Sequence, residues 1–153
     1  MNIDAIINML HYEQPSEIQK QGIDLALQEE DLNFLLCYSE MPEYSHNCAT
    51  IFTKLEHEKC AKYFDDLFSW IEDYNAPDAL IIIDYLATAP YYLIYESLIR
   101  SMSACVKRCS SANAQTINMV ISNNEKLIVS LLKNETKLYN EFLQLLKASS
   151  KSF

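Results

Sequence analysis

Scarcity constrains this chain first. One glycine, Gly22, and four prolines are spread over 153 residues. Sandwiches, barrels and dinucleotide-binding folds need many tight turns with φ > 0, which glycine makes without steric penalty. With one glycine there is neither a GxGxxG fingerprint nor a P-loop. An all-α protein is what remains. Cations are scarce too: 12 Lys and Arg stand against 21 Asp and Glu, a formal charge of −9. Direct nucleic-acid binding needs Lys and Arg clustered against phosphate, so that class is set aside. No apolar run approaches the roughly 18 residues of a membrane span. Residues 1–10 carry no Lys or Arg, hence no basic start to a secretory signal. A cytoplasmic protein away from the membrane is expected.

Half of the chain is apolar and 22% is charged, the balance of a folded domain rather than a disordered segment. Its length fits one domain over 1–153. The charge is polarised. Residues 1–90 hold 4 Lys and Arg against 17 Asp and Glu, a net of −13, whereas residues 91–153 hold 8 against 4, a net of +4. Such asymmetry points to a charged face for a partner. The cysteines at 37, 48, 60, 105 and 109 lack framework spacing and read as small buried hydrophobes.

Apolar spacing predicts a succession of helices. The first covers 2–10 with Ile3, Ile6, Ile7 and Leu10 on one side. Ser16 as N-cap with Gln19 three residues on predicts a capping box for the second. A short apolar piece, 32–38, precedes the break at Met41-Pro42, and a helix over 45–55 follows. Over 58–74 the stripe is Cys60, Phe64, Leu67, Phe68, Ile71 and Tyr74. Asn75 as N-cap and Pro77 in the first turn predict a helix over 77–88, apolar nearly all round and the most buried. Pro90 opens another, to about Arg108, and 109–113 reads as a loop. Helices over 114–132 and 135–148 close the chain, with 149–153 frayed. Short connections make neighbours antiparallel. Pairs at 2–30, 45–74, 77–108 and 114–148 would stack as an α-solenoid; a compact irregular bundle is the alternative.

Residues 44–86 carry a more specific signal. Asn47-Cys48-Ala49 lies in one helix, and Trp70, Asp73, Asn75, Pro77 and Ala79 form a W-x-x-D-x-N-x-P-x-A junction. This resembles a family of small bacterial HEAT-like proteins. Gln19–Phe34, with Gly22-Ile23 and Ala26, is weakly similar as well. Family members have an aromatic residue before the proline and a glycine after it, where this chain has Ala76 and Asp78. The resemblance implies a HEAT-like solenoid of about four helix pairs, structural roles for Asn47, Asn75 and Pro77, and an immunity role against an antibacterial toxin.

His46-x-Cys48 and His57-x-x-Cys60 hold four groups of the kind Zn²⁺ accepts. No CxxC pair exists and both cysteines fall on core stripes, so no metal or cofactor is expected. His57-Glu58 begins an HExxH that Ala61 breaks. Asp65-Asp66, Glu72-Asp73 and Glu29-Glu30-Asp31 are adjacent carboxylates. On polar helix faces these are solvated, not acid–base pairs. Asp66, Trp70 and Asp73 fall at i, i+4 and i+7 beside Tyr63 and off the core stripe, with Glu40, Glu43 and Tyr44 in the preceding loop. Carboxylates around an accessible aromatic would anchor a basic protein. The plainer reading has Trp70 covering a neighbouring helix pair.

The expectation is therefore a non-catalytic protein-binding domain, an immunity protein that neutralises a toxin domain through an acidic face. A general HEAT-like scaffold or adaptor is the alternative. A HEAT-like DNA alkyl-base glycosylase is a distant third, because it needs a basic concave surface.

Overall fold

Helices occupy each of the segments that these patterns predict, some with different bounds, in a computed structural model, which describes residues 2–150. In chain order they are α1 (Ile3–Leu10), α2 (Ser16–Ala26), α3 (Asn33–Leu36), α4 (Pro42–Lys54), α5 (His57–Cys60), a 3-10 turn (Ala61–Tyr63), α6 (Phe64–Trp70), α7 (Ala79–Ala87), α8 (Tyr91–Arg108), α9 (Ser111–Ile121), α10 (Glu125–Asn134) and α11 (Thr136–Ser150). The described residues contain no strand. None of these helices is long and apolar enough to cross a membrane.

Packing follows alternate helices. α2, α4, α7 and α9 contact one another in turn as one row, and α6, α8 and α11 form a second row. α11 also lies on α9, so it closes the C-terminal end of both rows. The chain order α1–α2, α4–α6, α7–α8 and α9–α11 follows the bounds of the four predicted pairs, but α4 packs on α7 rather than α6, and α7 on α9 rather than α8. Phe52, Phe64, Ile71, Ile82, Leu98 and Phe142 are fully buried in the one core. Each contributes about 1.5–3 kcal/mol by leaving water.

The lone glycine serves close approach rather than a turn. A Cβ at Gly22 would lie 2.7 Å from Met9 Cβ and 3.1 Å from Leu10 Cδ2, so its absence lets α2 press on the end of α1. The two left-handed residues, Asp78 (φ 58°) and Cys109 (φ 53°), are not glycines.

Several boundaries differ from expectation for identifiable reasons. Ser16 does not cap α2; Pro15 holds that position. Gln19 instead donates to the carbonyls of Tyr12 (3.0 Å) and Gln14 (2.6 Å). The 58–74 helix is interrupted by the 3-10 turn and ends at Trp70, which leaves Tyr74 48% exposed. The 114–132 helix is two helices, because the Asn124 side chain accepts from the Leu127 N–H and caps α10. The predicted loop over 109–113 shrinks to Cys109 and Ser110, with Ser110 Oγ accepting from Asn113 N–H at 3.2 Å. α7 buries Ile82 and Ile83 but leaves Leu80 47% exposed. Fraying does not begin at Ser149, whose buried hydroxyl donates to the Leu146 carbonyl; the rest of that expectation, 151–153, lies outside the described residues. Finally, Cys48, Cys60 and Cys105 are buried as predicted, whereas Cys37 and Cys109 are exposed.

Candidate functional site

The junction between α6 and α7 is a loop fastened by its own side chains. At the end of α6 the Trp70 indole Nε1 donates to the Pro77 carbonyl at 3.0 Å. Asp73 Oδ1 accepts from the Asn75 N–H at 2.9 Å. This closes a turn within the loop, and Asn75 does not cap α7 as expected. That position belongs to Asp78, and Pro77 stands outside the helix. Asp78 then ties the loop to α4: its Oδ2 accepts from Ser45 Oγ (2.5 Å) and its Oδ1 lies 3.1 Å from His46 Nδ1. The sequence reading missed this residue.

Asn47 is structural at a different place. Its Nδ2 donates to the Leu10 carbonyl (2.7 Å) and to Gln19 Oε1 (2.9 Å), which fastens α4 to the α1–α2 hairpin.

Beside the junction opens a cleft of about 520 Å³, within the range of ligand sites. Glu40, Asp66, Glu72 and Asp73 line it, with Trp70, Asn75 and Pro77 among the other walls. No Lys or Arg does. The carboxylates of the α6 segment split into two rows. Asp65 meets Arg100 at 3.1 Å and Glu72 meets Arg108 at 3.0 Å, both on α8. These acids are paired rather than simply solvated as expected. Asp66 and Asp73, each one residue further along, are exposed at the cleft. A helix turns about 100° per residue, so Asp65 and Asp66 on α6 face different neighbours; Glu72 and Asp73 part in the turn that follows the helix.

Not every predicted site residue arrives here. Trp70 is 6% exposed, a buried residue at the edge of the cleft and not an accessible anchor. Tyr63 is 2% exposed and its hydroxyl accepts from the Leu32 N–H at 2.8 Å, so it belongs to the core. Tyr44 packs on Tyr38 and His11 with ring centroids 4.9 and 5.1 Å apart. The adjacent Glu43 is exposed, and its carbonyl accepts from the Tyr12 N–H. That pair forms a separate corner between α1 and α4.

No family model, curated protein or solved structure matches the chain.

The histidines and cysteines do not gather. His46 turns to Asp78, and His57 Nε2 lies 3.1 Å from the Tyr85 carbonyl. No group of three His, Cys, Asp or Glu with metal-site geometry occurs among the described residues. Burial pushes the Cys48 thiol up to about 12 and the Cys60 thiol up to about 11, the latter opposed by a hydrogen bond with Tyr85. Thiols held neutral in this way are poor nucleophiles and poor metal ligands.

Proposed function

We propose that this chain is a non-catalytic protein-binding domain, and specifically an immunity protein that neutralises a basic toxin domain. The observation that carries the reading is the cleft lined by Glu40, Asp66, Glu72 and Asp73 without a Lys or Arg. The net charge of −13 over residues 1–90 surrounds it with a field of the same sign. Such a field steers a cationic partner and raises its association rate. The toxin assignment adds the junction residues Trp70, Asp73, Asn75, Pro77 and Ala79, through which the chain resembles the immunity family.

The test is co-expression with the product of the adjacent upstream gene, scored by cell survival and by co-elution at low and high salt. Rescue with a stoichiometric complex that weakens with salt is expected. Asp66→Lys with Asp73→Lys should slow association about tenfold at low salt with helicity intact. Neither rescue nor co-elution would overturn the immunity role and move the reading to a general adaptor. Unchanged kinetics in the double variant would remove this cleft from the interface.

A further inference from the structure

The acidic cleft does not end at Asp73. A second, of about 150 Å³, runs between α6 and α8, and a third, of about 270 Å³, reaches the start of α9. Glu72 lines all three and Asp73 lines the first and third. Shared walls make them one groove, from Glu40 to Asn113.

At its far end the groove meets an unusual group. Asn113 is 3% exposed and lines the third cleft with Arg108 and Ser110. Its Oδ1 accepts from Thr116 Oγ1 at 3.3 Å. Its Nδ2 is buried with no hydrogen-bond partner, the sole such side-chain atom found among the described residues. A buried donor without an acceptor is unfavourable and rare in folded proteins. The cations along the groove are already taken, Arg100 by Asp65 and Arg108 by Glu72. Glu40, Asp66 and Asp73 have no Lys, Arg or His within ion-pair distance among the described residues.

We propose that an extended, Lys- or Arg-rich stretch of the partner protein lies in this groove. Its side chains sit against Glu40, Asp66 and Asp73, and one main-chain carbonyl accepts from Asn113 Nδ2, which turns out of its buried position to meet it. The proposal rests on the binding reading above. Lys and Arg side chains carry donors only, so the acceptor that such a stretch brings to Asn113 is its backbone. A helix uses its carbonyls internally, whereas an extended segment turns them outward.

The test is an ¹⁵N NMR titration of the full chain with two probes of similar charge: acetyl-pentalysine amide, which has carbonyls, and spermine, which has none. Both should shift backbone amides around Asp66 and Asp73. The peptide alone should shift the Asn113 side-chain NH₂ pair. Asn113→Ala should weaken the peptide about 3- to 10-fold and leave spermine unchanged. An unmoved Asn113 pair beside a responding acidic cleft overturns this proposal and leaves the binding reading standing. The same holds if Asn113→Ala binds the peptide as wild type does. Shifts spread over the acidic α1–α2 end, with none at Asp66 or Asp73, overturn both.

Discussion

Trp70→Phe separates a structural tryptophan from a surface anchor. The substitution keeps a buried ring but removes the indole N–H that the Pro77 carbonyl accepts at 3.0 Å. A carbonyl left without its partner loses about 1–3 kcal/mol. The smaller ring forfeits about 1 kcal/mol of buried apolar area. The sum, about 2–4 kcal/mol, is a large share of the stability of one domain. At about 2–4 °C per kcal/mol for a chain of this size, the midpoint should fall about 4–16 °C. Thermal unfolding followed by circular dichroism at 222 nm measures it. Because Trp70 is the only tryptophan, wild-type fluorescence gives an independent reading. Emission should be blue-shifted, resistant to iodide, and red-shifted on unfolding. A midpoint within 1 °C of wild type, or quenching as free as in an unfolded peptide, would refute the buried, loop-fastening role.

Four further outcomes follow from the packing. Gly22→Ala gains about 1 kcal/mol of helix propensity but sets a Cβ 2.7 Å from Met9 Cβ, an overlap that costs about 1–3 kcal/mol. Net destabilisation in urea is expected, and a stabilised variant would mean that α1 yields easily. Asp78→Gly should be more stable than Asp78→Ala by about 1 kcal/mol, since both lose the Ser45 bond but only alanine is strained at φ 58°; equal midpoints would show that the left-handed turn relaxes. Lastly, Cys37 and Cys109 should react with a thiol reagent in the folded protein well before Cys48, Cys60 and Cys105. Burial raises the folded thiols to about 12 at Cys48 and about 11 at Cys60, from 9.0. Their contribution to stability is full below about pH 9 and is lost as pH rises toward those values, because the unfolded chain ionises first. Denaturation midpoints in Cys48→Ala should fall less between pH 9 and 11 than in wild type.

The candidate site was legible in part. The i, i+7 spacing of Asp66 and Asp73 was legible, and both line the cleft. Tyr63 is misplaced by the accessible-anchor reading, and Trp70 follows the plainer one, although spacing already held the answer. Tyr63 is three residues after Cys60 and four before Leu67, and Trp70 is three after Leu67, all positions on the buried stripe. Polar tips hid this, because a phenol or an indole N–H is read as a surface group until its partner is known. Those partners, the Leu32 N–H and the Pro77 carbonyl, come from backbone that spacing does not locate.

By itself the sequence determined that the chain is helical. One glycine leaves few other architectures, and apolar residues three and four apart mark each buried face, both local properties of the chain. It also determined the polarity of charge, which needs only counting. Tertiary structure alone decided which acids remain open. Asp65 and Glu72 are neutralised by Arg100 and Arg108, some 35 residues away, while their neighbours Asp66 and Asp73 face the cleft. An ion pair depends on a distance of a few ångströms, and helix packing sets that distance, not separation along the chain.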